Sequence, residues 1–200
     1  MPRTLDPDKR RRYLDAALAL FVEHGVQHTS TSAIAEKAGT ASGTLFLYFS
    51  TKQDLINELV LAISGEQSAY IDKQLTPDQS VRDAFLTIWR GSIRWFLDHP
   101  DAYRYQQRMR ESALIEDSVI EETARNFAYY YVTIRRGIEA GLIKPYPIDL
   151  LGGVLYHSIV AAMDQILVES DPTRRDRLIA WSFDIFWDGI SVNDGREPTH

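Results

Sequence analysis

An all-α fold is predicted for this 200-residue chain. Apolar residues recur every three or four positions along nearly its whole length, and alternating strand patterns are almost absent. Proline and glycine cluster at the edges of the periodic segments. Asp6-Pro7 reads as an N-cap with proline at the first helical position. Leu14, Ala17, Leu18 and Phe21 then form one apolar stripe, and Gly25 ends the first helix. In a second helix Ile34, Ala35 and Ala38 face inward, with Gly39 supplying a turn. Leu45 and Phe49, one turn apart, face the same core from a third. Ser50-Thr51-Lys52-Gln53 is a capping-box pattern opening a fourth helix, whose buried edge is Leu55, Leu59 and Ile63.

Thr76-Pro77-Asp78-Gln79 repeats the start signal. Residues 81–97 are apolar on more than one face, with Phe85, Trp89, Trp95 and Phe96, so this helix is expected to be surrounded. His99-Pro100 stops it. A Tyr- and Arg-rich stretch leads to one long predicted helix at about 117–140. Ile120, Ala124, Phe127, Tyr131, Ile134 and Ile138 run along it, and Gly141, Lys144, Pro145 and Pro147 close it. Two last helices are predicted at about 148–168 and 173–189, the second opened by Asp171-Pro172. The polar tail, 193–200, is expected to be disordered.

Bulk properties narrow the function classes. With no cysteine, the chain has no disulfide, thiolate metal site or cysteine redox switch, which fits a reducing cytosol. No long apolar run follows the basic cluster Lys9-Arg10-Arg11-Arg12, so neither a leader peptide nor a spanning helix is expected, and a cytoplasmic location is. The net charge is −6, unevenly spread: residues 1–55 hold seven Lys/Arg against six Asp/Glu, the remainder 15 against 22. An acidic body with a locally basic head is compatible with nucleic-acid binding when the cations share one surface.

Residues 30–52 carry the most information. They read as a short helix, a glycine turn and a second short helix, small and polar at its start and aromatic at its end. A duplex-reading helix needs small residues where it meets the groove and larger ones anchoring it in its own domain. Around this core an ordered set of features extends over residues 9–55. It comprises the basic start, Leu14-Asp15-Ala16-Ala17, Phe21 and Gly25, Thr31, Ile34-Ala35, Ala38-Gly39, Ser42 to Phe49, Lys52 and Leu55. In that order they resemble the DNA-binding domain of the tetracycline-repressor (TetR) family of transcriptional regulators.

The resemblance implies a helix-turn-helix at about 30–49 within a DNA-binding domain at 6–65, followed by an effector-binding and dimerisation domain at 66–200. It implies double-stranded operator DNA as partner, with Thr31, Thr40, Ser42, Gly43, Thr44, Leu47, Tyr48 and Lys52 at the contact. Gly43 lets backbone approach the duplex and Thr44 offers a hydroxyl. Leu47 suits a thymine methyl, and Tyr48 and Lys52 resemble the family's phosphate clamps. Two departures stand out. Where the family usually has Gly-Val-Ser before the third helix, this chain has Gly39-Thr40-Ala41, which moves the expected cap to Thr40. Phe46 stands where a phosphate-binding tyrosine is common. The Lys9–Arg12 cluster reads either as a DNA-contacting arm or as the solvated face of a first turn.

The resemblance also implies a homodimer and a small effector, apolar or aromatic in keeping with the rings available. Trp89, Trp95, Tyr103, Met109, Phe127, Tyr130 and His157 could line a cavity, with Arg104, Arg108 and Arg110 near an anionic head group; the alternative is that the rings are core and the arginines surface. Leu151, Leu155, Ile159, Ala162 and Ile166, with Leu178, Ser182, Ile185 and Phe186 on the last helix, suit an isologous dimer surface, an intramolecular core being the alternative. No phosphate-cradling loop, nucleophile elbow or paired-acid motif is present. Gly25 separates His24 from His28, so no zinc pair is expected. Catalytic residues, metals and cofactors are therefore none. The expected function is a ligand-responsive regulator, most simply a repressor released from a palindromic operator by its effector. The rival is a helical ligand-binding or enzyme domain whose helix-turn-helix is only structural.

Overall fold

The computed structural model describes residues 5–110, 112 and 114–192. Among them are ten helices: α1 (Pro7–His24), α2 (Thr31–Lys37), α3 (Ser42–Leu45), α4 (Lys52–Asp72), α5 (Val81–Asp98), α6 (Pro100–Arg110), α7 (Asp117–Asn126), α8 (Ala128–Glu139), α9 (Ile148–Ile166) and α10 (Pro172–Ile190). The described residues include no strand, only an isolated antiparallel bridge between Ile143 and Ser191. Two compact units result. One holds the chain up to Glu66 together with 99–126; the other holds 67–98 and the chain from Phe127 onward.

The first unit contains α1, α2, α3, the start of α4, α6 and α7. Its core is built on Tyr13, Phe21, Ile34, Leu45, Phe49, Leu55 and Tyr105, all nearly inaccessible to solvent. Helix α6 packs on α1, with Tyr105 stacked on Phe21 at 5.9 Å. Side chains from elsewhere in the unit close the α1 C-terminus, adding to the bond from the Gly25 amide to the Phe21 carbonyl (3.0 Å) and reaching carbonyls that no later helical amide serves. Thr29 Oγ1 donates to the Gly25 and Leu20 carbonyls at 2.8 and 3.2 Å. Arg108 of α6 donates to those of Phe21 and Val22 at 3.0 and 2.7 Å.

In the second unit α9 packs along α10, and α5 lies against α8, α9 and α10. Trp89, Phe85, Ile93, Ile134, Met163, Ile166 and Phe183 are fully or nearly fully buried. A Cβ at Gly137 would overlap the Ile143 side chain, so glycine lets Ile143 seat against the end of α8.

Several sequence expectations are corrected. The α4 capping box is one residue later than expected: Thr51 and Asp54 exchange backbone and side-chain bonds at 2.9 and 3.0 Å. Thr76 and Gln79 form a turn (3.1 Å), and Ser80 caps α5 by accepting from the Asp83 amide at 3.0 Å. The Tyr- and Arg-rich stretch is the helix α6. The long helix expected at 117–140 is two, broken at Phe127 (φ −100°, ψ 29°). The break resets the helical phase: Val119, not Ile120, is buried in α7, whereas Tyr130 and Ile134 are buried in α8. Each half packs in a different unit, which a single apolar period cannot reveal. The tail 193–200 lies outside the described residues.

Candidate nucleic-acid interface

Helix α2 is capped by Ser30, whose Oγ accepts from the Ala33 amide at 3.1 Å. Gly39 (φ +70°) makes the turn, a conformation that costs a side-chain-bearing residue strain. Thr40 does not cap α3. Its Oγ1 pairs with the Tyr13 hydroxyl at 2.8 Å and donates to the Ala35 carbonyl at 3.3 Å, fastening the turn to α1 and α2. Ala41 occupies the cap position with no side-chain bond. Helix α3 is a single turn, continued by tighter bonds from the Leu47 and Tyr48 amides to the Thr44 and Leu45 carbonyls at 3.2 and 2.9 Å. The dipole available to a phosphate there is that of one turn only.

This short segment divides its side chains sharply. Leu45 and Phe49 are buried, anchoring it; Ser42 and Gly43 are exposed and Thr44 half-buried. Leu47 is 66% exposed and Phe46 47%. Outward-facing Leu47 thus lies beside small polar neighbours, as a groove-reading surface requires. Nothing lies within 4 Å of a Cβ built at Gly43, so packing within the chain does not require glycine there.

The expected clamps are partly committed to the fold. Tyr48 is half-buried, its ring 5.4 Å from Tyr13, and its hydroxyl accepts from the Asp6 amide at the start of α1 (3.2 Å). A phenol that accepts still has its own O–H to donate. Lys52 donates to the Val26 carbonyl at 2.6 Å, using one of three ammonium donors. Burial lowers its pKa below the ordinary lysine value of 10.5. Thr31 is half-buried at the first position of α2.

An open hollow lies between these groups. Gln27, His28, Thr29, Ser30, Thr31, Phe46 and Lys52 line it. Sequence reasoning missed Gln27 and His28; their signal was position, in the loop held by Lys52. The basic cluster splits. Arg10 pairs with Glu58 and lies over the Phe49 ring at 5.7 Å, and Arg11 pairs with Glu66 and Asp15. These two guanidiniums bind the chain's own carboxylates and are not a free arm.

Of the expected effector residues, Tyr103 and Met109 are buried and Arg104 and Arg110 exposed in the first unit. Arg104 pairs with Asp101 at 3.2 Å. Trp89, Trp95 and Tyr130 are buried in the second unit, where Phe127 is half-buried at the α7/α8 break and His157 is exposed on α9. The structure therefore brings together Trp89 and Tyr130 of α5 and α8, and leaves His157 outside that interior.

The expected dimer stripe on α9 also faces inward. Leu151, Leu155, Ile159, Ala162 and Ile166 are at most 7% exposed in the single chain, because they meet the chain's own helices. On α10 Phe186 is likewise buried, Leu178 and Ser182 are half-buried, and Ile185 alone of the four is open, at 76%. Other apolar side chains of the two helices are exposed: Leu150 (55%) and Val154 on α9, one turn apart, and Trp181 and Ile185 on α10, likewise one turn apart.

A family model described as "Bacterial regulatory proteins, tetR family" matches residues 14–59, the span from α1 through the exposed α3 surface into α4. Over those residues the chain matches the tetR family of regulators. Along more of its length it is similar to the HTH-type transcriptional regulator SrpR of Pseudomonas putida, 25% identical over 151 residues that cover 72% of this chain and 67% of SrpR. It is similar also to the fatty acid metabolism regulator protein of Bacillus subtilis, 28% identical over 68% of this chain and 73% of that one. Among solved structures, a tetR family transcription regulator from Shewanella sp. PV-4 superposes with a TM-score of 0.87 at 27% identity, covering 92% of this chain and 99% of the other. The tetR relatives are helix-turn-helix transcriptional regulators and not enzymes, and no helix among the described residues is long and apolar enough to cross a membrane.

Proposed function

We propose that this chain is a homodimeric repressor of the tetR family that reads a palindromic operator and leaves it when a small effector binds. The exposed surface of α3 carries the reading: Leu47 and small polar Ser42, Gly43 and Thr44 are held outward by buried Leu45 and Phe49. DNA contact is assigned to residues 6–65, with Thr31, the free O–H of Tyr48 and the remaining donors of Lys52 on phosphates. Thr40 supports that surface from behind. One α3 from each protomer enters each of two successive major grooves.

Effector binding and dimerisation are assigned to residues 66–200. The exposed pairs on α9 and α10 (Leu150, Val154, Trp181 and Ile185) form the self-complementary patch that a two-fold dimer buries. Helix α6, which belongs to the effector part in sequence, packs within the first unit and holds the end of α1 through Arg108. That contact offers a route by which a change in the effector part biases the DNA-binding helices. The effector acts only as far as it prefers the non-binding state, and operator must weaken effector binding by the same factor.

Selection of duplexes from a random pool with the purified full-length protein tests the reading. We expect a palindromic site from the parent and its loss with Leu47→Glu. That substitution sits on an exposed side chain, so the fold is kept, and it places an anion against the phosphates. Binding should weaken on the order of tenfold or more. A folded dimeric parent that enriches no duplex would refute the proposal and favour the helical ligand-binding alternative.

A further inference from the structure

We infer that the interior of the second unit holds a site for an uncharged, largely apolar ligand with one hydrogen-bond acceptor, received by the Trp89 indole N–H with the Tyr130 hydroxyl as second polar contact. This rests on the effector reading above and names the chemistry of that effector.

Two buried polar groups motivate it. Trp89 on α5 is 0% exposed and Tyr130 on α8 is 6% exposed. Trp89 Nε1 and the Tyr130 hydroxyl have no hydrogen-bond partner among the described residues. Buried polar atoms in folded proteins are nearly always paired, so two unpaired ones in one aromatic cluster point to a group that pairs them. The rings connect them. Phe85 meets Tyr130 edge-on at 5.7 Å and lies 5.9 Å from Phe186, and Phe186 stacks on Trp89 at 5.4 Å. Gly152 brings the α9 backbone to the same tyrosine, since a Cβ there would lie 3.6 Å from Tyr130 Cε1.

The chemistry of the ligand follows from the donors and from the surrounding charge. An indole N–H only donates, so the atom it receives must be an acceptor such as a carbonyl or ether oxygen. Phe85, Phe183 and Phe186 around it carry no charge. Arg82 lies over the Phe183 ring at 5.1 Å, but its guanidinium is exposed and paired with Asp184 at 2.8 Å. A buried anion would therefore lack a counter-charge, which is prohibitive in an apolar interior. Arg104 and Arg110, expected at sequence level to meet an anionic head group, lie exposed in the first unit. Burial also raises the Tyr130 pKa, so its hydroxyl stays neutral and able to donate or accept.

The test uses full-length protein carrying ¹⁵N-tryptophan, with Trp89→Phe to assign the Trp89 indole signal. Three probes of similar shape are titrated to equal millimolar concentration: acetophenone (acceptor), ethylbenzene (none) and benzoate (anion). Acetophenone should move the Trp89 N–H proton downfield saturably and bind about tenfold more tightly than ethylbenzene. That advantage should vanish in Trp89→Phe, and benzoate should not bind. Benzoate binding as well as acetophenone overturns the uncharged class. A Trp89 signal unmoved by all three, as a bond to a resident water would give, overturns the site. Operator selection on the same preparation separates the two readings. Duplex enriched with Trp89 silent sinks this inference alone, whereas acetophenone at Trp89 without duplex enrichment sinks the regulator reading and keeps the site.

Discussion

The surface of α3 and the paired helices α9 and α10 both carry exposed apolar side chains, yet the sequence identifies them unequally. In α3 and the turn that continues it to Phe49, Leu45 and Phe49 face the core, which leaves Leu47 outside. Helix α9 is apolar almost all round. Leu151, Leu155, Ile159, Ala162 and Ile166 form one row, and Leu150 and Val154 begin another. Periodicity finds both rows and cannot rank them. An apolar stripe assigns a face only when its opposite face is polar.

The comparison is broken most forcefully by exchanging the two rows. Leu155→Ala should cost about 2–4 kcal/mol of stability, as truncation in a packed interior does. Val154→Ala should change monomer stability by less than about 0.5 kcal/mol. Denaturant unfolding reads both, and equal costs would remove the inward/outward distinction. The double substitution Val154→Asp with Ile185→Asp should keep the helical signal yet raise the dimer dissociation constant by about a hundredfold. Sedimentation at several concentrations checks it; an unaffected dimer would move the interface elsewhere.

Two smaller effects sharpen the first unit. Arg108→Ala should cost about 1 kcal/mol by freeing the Val22 carbonyl and removing a second bond to that of Phe21, less than charged bonds usually contribute because Arg108 is exposed. Urea unfolding measures it, and no change would deny the Arg108 bonds a structural role, leaving the Tyr105–Phe21 stack as the hold of α6 on α1. The smallest effect is at alkaline pH. Burial holds the Tyr105 pKa above its ordinary 10.0. The unfolded chain therefore ionises first, so stability present below pH 10 is lost as pH rises beyond it. Tyr105→Phe should flatten that decline in melting temperature between neutral and alkaline buffers; an unchanged slope would assign it to other groups.

Much of the local structure around the candidate DNA-facing surface was legible because its chemistry is local. Asp6 caps α1, accepting from the Asp8 and Lys9 amides at 2.9 and 3.3 Å, and Gly39 turns with positive φ. Leu45 and Phe49 anchor α3 as spacing predicts. The expected cap at Thr40 is not made, and of the two readings open for the basic cluster Arg10 takes neither a free arm nor a bare surface, because both side chains have distant partners. Thr40 was spent on Tyr13, 27 positions away, and Arg10 on Glu58, 48 away. No window of sequence shows such competitors.

By itself the sequence determined the all-α class, the helix-turn-helix and its outward side chains, because caps, turns and helical period act within a few residues. Tertiary structure alone decided that the helix expected at 117–140 breaks at Phe127, that α9 turns Leu155 inward, and that Trp89 and Tyr130 share one aromatic interior. Those outcomes depend on which surfaces meet. Burial is a property of pairs of elements, while propensity and period describe one element at a time.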